Sequence, residues 1–163
     1  MSGALPELSS IEPLEYDEES QRLVARGDAR LDFENSRIRA DRITYYQNFF
    51  LADASGNVAI SRDGSRLIAD RLSFQSHENI FSVGALRTGQ WPYYVSGTSA
   101  GGTIENTEIQ GATLYYGNPS PYSLSVSSDE IRYVNEEDGE YISMDGATFR
   151  IGRIPFFYLP GYR

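Results

Sequence analysis

A constant self-offset of 29 residues constrains this chain more than any other feature. The run Gly27-Asp28-Ala29-Arg30-Leu31 through Arg37-Ile38-Arg39-Ala40-Asp41-Arg42-Ile43-Thr44-Tyr45 lies without a gap on Gly56-Asn57-Val58-Ala59-Ile60 through Arg66-Leu67-Ile68-Ala69-Asp70-Arg71-Leu72-Ser73-Phe74. Carried backwards, the offset sets Leu14-Glu15-Tyr16 under Ile43-Thr44-Tyr45. Carried forwards, it sets Phe81 and Val83 under Ala52 and Ala54, which themselves lie under Leu23 and Ala25. A period of this length marks a supersecondary unit that cannot bury its apolar face alone and stacks on its neighbours to complete one core.

Each repeat reads as a pair of strands. An outbound strand, Leu23-Val24-Ala25 and, after a glycine, Ala29-Arg30-Leu31, points alternate residues inward, and polar hairpins at Asn35-Ser36 and Asp63-Gly64 reverse the chain. On the return strand the inward positions Ile38 and Ala40 give way, across Asp41-Arg42, to Ile43 and Tyr45. The switch recurs at Ala69, Asp70-Arg71 and Leu72. Two polar residues that exchange the faces of a strand predict a bulge at Asp41-Arg42, where the strand turns a corner. Stacked corners give a folded-over, jellyroll-like array of antiparallel strands with a narrow apolar interior. The predicted inner face comprises Leu23, Ala25, Leu31, Phe33, Ile38, Ala40, Ile43, Tyr45, Ala52, Val58, Ile60, Leu67, Ala69, Leu72, Phe74, Phe81 and Val83, with Phe149 and Ile151 from the less regular stretch after residue 90. Its alanines either let two close sheets interdigitate or leave a groove wide enough for acyl chains; composition does not separate the two.

The composition agrees with an all-β chain. Tyrosine (12), phenylalanine (8) and glycine (15) are abundant, and lysine is absent. All 14 basic residues are arginine, and against 23 acidic residues the formal charge is -9. Such a chain is poorly placed to bind nucleic acid. With no cysteine, it has no disulfide framework, zinc-thiolate site or cysteine nucleophile. No apolar run approaches the roughly 20 residues of a membrane-spanning helix, and Met1-Ser2-Gly3 opens no leader-like stretch. Residues 1–11 are expected to be disordered, and 12–163 to form a single β-jellyroll domain, with repeats over 12–89 and a closing segment over 90–163.

The closing segment carries Gln90-Trp91-Pro92-Tyr93-Tyr94-Val95-Ser96-Gly97, Gly111-Ala112-Thr113-Leu114-Tyr115-Tyr116-Gly117-Asn118-Pro119, Ala147-Thr148-Phe149-Arg150-Ile151 and Ile154-Pro155-Phe156-Phe157-Tyr158-Leu159-Pro160. The chain here resembles the periplasmic region of the LptD family of lipopolysaccharide-assembly outer membrane proteins, also called organic solvent tolerance protein A. The likeness rests on the Ala-Asp strands, Ala40-Asp41 to Tyr45 and Ala69-Asp70 to Phe74, and on Ala147-Thr148-Phe149 followed by Pro155 to Pro160. It covers roughly residues 12 to 160. The resemblance implies an OstA/LptA-type β-jellyroll in the periplasm, with no enzymatic activity and no cofactor. Such a domain takes lipopolysaccharide from an LptA-like bridge protein, which joins it by edge-strand addition. It passes the acyl chains to an outer-membrane barrel of the same chain and its LptE-like plug lipoprotein. Family members that are well studied tie this domain to the barrel through cysteines, which this chain lacks. Its acidic charge also departs from a basic collar for lipid phosphates.

Few residues suit chemistry instead. His77, the only histidine, falls in a polar turn and reads as solvated rather than as a general base. Asp41 and Asp70 recur at equivalent places, as structural acids do. Arg62 replaces Phe33 in the repeat, facing either a phosphate at the groove rim or solvent. The acidic run 135–140 suits a charged hairpin or a calcium site. Trp91, Tyr93, Tyr94, Tyr115 and Tyr116 suit either a sugar platform or ordinary packing. A dry-cored structural or adhesive module and a carbohydrate-binding domain therefore remain the alternatives to a lipid conduit.

Overall fold

The computed structural model describes residues 6–33, 36–62, 65–103, 106–136 and 139–162, and no side chain is described at 62, 65, 90, 135, 136, 140 or 162. Where the sequence suggests one domain from residue 12, the chain divides into two compact units, Met1–Val83 and Gly84–Arg163. The hairpin tips at Asn35 and Asp63-Gly64 lie outside the described residues.

Unit 1 is an antiparallel meander of β3 (Arg22–Phe33), β4 (Ser36–Tyr46), β5 (Leu51–Arg62), β6 (Ser65–Gln75) and β7 (Ile80–Val83). Two short strands, β1 (Glu7–Ser9) and β2 (Glu15–Asp17), line the other edge of β3. The segment expected to be disordered at 1–11 thus contributes a strand. The reason lies in the repeat: β1 and β2 are the two halves of a return strand, placed 29 residues before β4. Leu8 pairs with Leu31 and Tyr16 with Leu23, while between them the Ile11 and Glu12 amides donate to the Gly27 and Arg26 carbonyls at 2.9 and 3.3 Å.

The corner exists, but its extra residue sits on the other strand. Arg26 faces Arg42 and Ala29 faces Ala40, so Gly27 and Asp28 together oppose Asp41 alone. In the next repeat, Gly56 and Asn57 oppose Asp70. Gly27 and Gly56 have φ of +72° and +75°, and Asp28 and Asn57 both have +48°. Glycine, aspartate and asparagine are the residues that tolerate left-handed backbone, which is why the bulge settles on the outbound strand and leaves Asp41-Arg42 extended. The faces still exchange on the return strand, since two inward positions are spaced there by three residues instead of four.

Polar groups brace each corner from outside. The Asn57 Nδ2 donates to Asp41 Oδ2 at 2.9 Å, and Asp28 accepts from Arg39 Nη2 at 2.7 Å and Arg30 Nη2 at 3.0 Å. Hydrogen bonds from Arg39 and then Arg30 hold the Asp28 carboxyl below the usual carboxylate value. These groups are exposed, so each pair adds little to stability and mainly orients the bend.

Facing residues form apolar rungs across the strands. One runs Leu23, Tyr45, Ala52, Phe74, Phe81; the next Ala25, Ile43, Ala54, Leu72, Val83; and, beyond the corner, a third runs Leu31, Ile38, Ile60, Leu67. Phe33 lies beyond the corner on β3 and Phe74 before it on β6, yet their ring centroids are 6.1 Å apart at 59°. Phe33 shares its rung with Ser65, nine residues from Phe74, so a flat sheet would hold the rings roughly 30 Å apart. The two limbs therefore fold over and face each other. A double-mutant cycle on Phe33→Ala and Phe74→Ala should show coupling of about 0.5–1.5 kcal/mol in chemical unfolding. Strict additivity would contradict the folded-over geometry.

Unit 2 contains β8 (Leu86–Gln90), β9 (Tyr93–Gly97), β10 (Ser99–Gly102), β11 (Asn106–Tyr116), β12 (Leu124–Glu136), β13 (Gly139–Ile151) and β14 (Ile154–Tyr162). β9 and β10 pair with successive halves of β11, β8 pairs with β9, and β11 to β14 follow as an antiparallel meander. The repeat had seemed to end near residue 90. Its vocabulary persists: Ser128-Asp129-Glu130-Ile131-Arg132-Tyr133 mirrors Ala40-Asp41-Arg42-Ile43-Thr44-Tyr45, and Gly111-Ala112-Thr113 returns as Gly146-Ala147-Thr148. Gly111 and Gly146 again have positive φ, +56° and +64°.

Candidate functional site

In unit 1 the residues read as inward-facing are withdrawn from solvent to different degrees. Ala25, Leu31, Ile38, Ala40, Ile43, Tyr45, Ala52, Val58, Ala69, Leu72 and Val83 are buried, and Leu23, Phe33, Ile60, Leu67, Phe74 and Phe81 are half-buried. The alternate positions Arg30, Arg37, Arg39 and Ile68 are exposed. Two further inward residues sit beside the corner, Ala29 and Ala54, at 0% and 3% exposure; the alternation that marks Leu31 and Ala52 also marks these two.

Burial differs from rung to rung. On the third rung, Leu31 and Ile38 are buried at 1% and 4%, whereas Ile60 and Leu67 are half-buried. On the first rung, Tyr45 and Ala52 are buried and Leu23, Phe74 and Phe81 half-buried. The second rung is buried throughout, from Ala25 on β3 to Val83 on β7. Burial pushes the Tyr45 phenol above its usual value, with a hydrogen bond to Ser76 acting the other way.

In unit 2, Phe149 is half-buried, with the rings of Phe157 and Phe156 at 5.6 and 6.4 Å. It belongs to a rung of Val95, Leu114, Val126, Phe149 and Phe157. Ile151, expected on the inner face, is instead 58% exposed. Alternation places it on the same side as Phe149, but it lies at the end of β13 next to the Gly152-Arg153 turn, past the point where the face is covered.

The remaining candidates are peripheral. His77 is exposed and stacks on Phe50 with centroids 5.8 Å apart. Asp41 and Asp70 sit on the outer side of the corners, exposed. The side chain of Arg62 and the middle of the acidic run 135–140 lie outside the described residues. Among the described residues no three His, Asp or Glu side chains converge as metal ligands.

No family model and no curated protein matches this sequence. Solved structures do match. One is described as LptH, the LptA-homologous periplasmic component of the lipopolysaccharide transport device from Pseudomonas aeruginosa; it superimposes with a TM-score of 0.51 at 12% identity, over 60% of this chain and 74% of that chain. The fold is an LptA-like β-jellyroll. Nearly all of the described chain is antiparallel strand, with a short 3-10 segment at Gln47–Phe49 between β4 and β5.

Proposed function

We propose that this chain is the jellyroll portion of an LptD-type protein, a non-enzymatic periplasmic conduit for lipopolysaccharide or a related glycolipid. The observation that carries this reading is the facing pair of limbs, folded at the corner, whose first and third rungs leave Leu23, Ile60, Leu67, Phe74 and Phe81 half-buried. An acyl chain gains about 0.8 kcal/mol for each methylene removed from water, so such an interior holds lipid tails without polar chemistry. In this reading the inner-face residues line the path, and LptA-like bridge proteins add at a sheet edge. Among the described residues β1 and β2 pair with β3 alone, and β14 with β13 alone, which supports strand addition at either end. Delivery to a barrel of the same chain and its LptE-like plug rests on the Pro155-to-Pro160 resemblance.

Photo-crosslinking tests the reading. A photoreactive phenylalanine at Leu67 or Phe74 should capture lipopolysaccharide, whereas one at the outward neighbours Ile68 or Ser73 should not. Equal labelling of the two pairs, or none at the inward pair, would overturn it. The full burial of Ala25, Ala29, Ile43 and Val58 favours a second reading, a dry-cored interaction module, and this module predicts no labelling at either pair.

A further inference from the structure

One end of unit 2 is built unlike the rest of the molecule. Three connections meet there: 91–92 between β8 and β9, 117–123 between β11 and β12, and 152–153 between β13 and β14. They are tied to one another, as the Gly117 amide donates to the Pro92 carbonyl at 2.7 Å and the Gly152 amide to the Ser123 carbonyl at 3.0 Å. The last rung before these turns is Tyr93, Tyr116, Leu124, Ile151 and Ile154, each directly opposite the next. All five are exposed, from 45% for Leu124 to 72% for Ile154. Trp91 and Tyr122 extend the surface into the connections at 68% and 86% exposure. A contiguous, ordered apolar rung left in water marks a contact surface.

Charge identifies the occupant. In a chain of net charge -9, there is no Asp or Glu across 79–104, 109–128 or 146–163, the three stretches that build this end; their ionised cations are arginines, among them Arg87, Arg150 and the exposed Arg153. Tyrosine and tryptophan present an apolar ring and a polar tip, the combination that favours the boundary between acyl chains and headgroups. Arginine beside them is drawn to anionic headgroups. A symmetric contact with a second copy would bring Arg153 toward its own like charge. We propose that this end of unit 2 seats on a lipid bilayer, with the Tyr93–Ile154 rung at the depth of the headgroup boundary and the arginines on anionic lipid phosphates.

The single tryptophan, Trp91, reports directly. Vesicles of phosphatidylcholine with phosphatidylglycerol should co-float the wild-type chain, shift Trp91 emission to the blue, and allow quenching by brominated acyl chains. Vesicles of phosphatidylcholine alone should bind more weakly. The pair Tyr122→Ser and Ile154→Ser should weaken binding by at least about tenfold, since each removes a side chain worth a large part of an apolar burial. Ile68→Ser, at an exposed apolar position in unit 1, should leave binding unchanged, and Arg153→Glu should remove the preference for anionic vesicles. Absence of co-flotation with an unshifted Trp91 would overturn the proposal. So would a Trp91 shift that follows protein concentration without vesicles, since a second copy would then be the occupant. The assay contains no lipopolysaccharide, so it stands or falls apart from the conduit reading.

Discussion

Gly56→Val should lower the stability of the chain by at least about 3 kcal/mol, which corresponds to a fall of roughly 6–12 °C in melting temperature for a chain of this size. Two causes combine. Gly56 holds φ at +75°, where a β-branched residue is strained by about 1–3 kcal/mol. A Cβ there would also lie 2.4 Å from Asp41 Oδ2 and 3.0 Å from Asp41 Cβ, so the acid bracing the corner must be displaced. Asp41→Ala in the same chain removes the contact with Oδ2 but leaves the 3.0 Å approach to Cβ and the backbone strain, and should restore only part of the loss. Gly56→Asn keeps a residue that tolerates left-handed backbone and should cost less than Gly56→Val. Thermal unfolding followed by circular dichroism ranks the variants; equal melting of Gly56→Val and wild type would show that the corner does not need this glycine.

The second large effect concerns loading. Leu67→Asp should reduce lipopolysaccharide binding by at least about tenfold, while Ile68→Asp should leave it near the wild-type level. Leu67 is half-buried on the inner rung with Ile60, and Ile68 is its outward neighbour, 47% exposed. A carboxylate beside lipid tails forces two or three methylenes back toward water or is itself desolvated, and either costs about 2 kcal/mol or more. Because Leu67 is half-buried, the carboxylate can reach solvent when the lumen is empty, so loss of loading should exceed loss of stability. Binding is read by co-purification with lipopolysaccharide and stability by melting temperature. Equal binding by the two aspartate variants would remove the inner face from the lipid path.

Much of unit 1 was legible because its repeat is spaced uniformly. The offset aligns Leu23, Ala52 and Phe81 on one rung, and the alternation around Asp41-Arg42 locates the corner to within the opposing residues. What it does not reveal is which strand carries the extra residue. The face exchange is visible on the return strand, but the left-handed pair is Gly27-Asp28 on the outbound one, and a glycine followed by Asp or Asn was the available sign. β1 was hidden because its return strand is split around Glu12 and β1 itself carries a single strongly apolar residue, Leu8. Unit 2 was hidden for a different reason. Gly111-Ala112-Thr113 and Gly146-Ala147-Thr148 are 35 residues apart, so a search at a constant offset of 29 passes over them. Ile151 shows the limit of alternation, which reports the side of a sheet and not how far along a strand that side stays covered.

The placement of the extra residue has a consequence for length. It falls on β3 and again on β5, always on the outbound strand and always against an acid, so each added pair of strands bends by the same amount in the same sense. The 29-residue segment therefore works like the die of an extruder: it sets a cross-section, and the number of copies sets only how far that profile runs. Whole segments can then be added to or removed from the stack without redesigning its cross-section, while a fault at one corner glycine deforms the stack at that point alone.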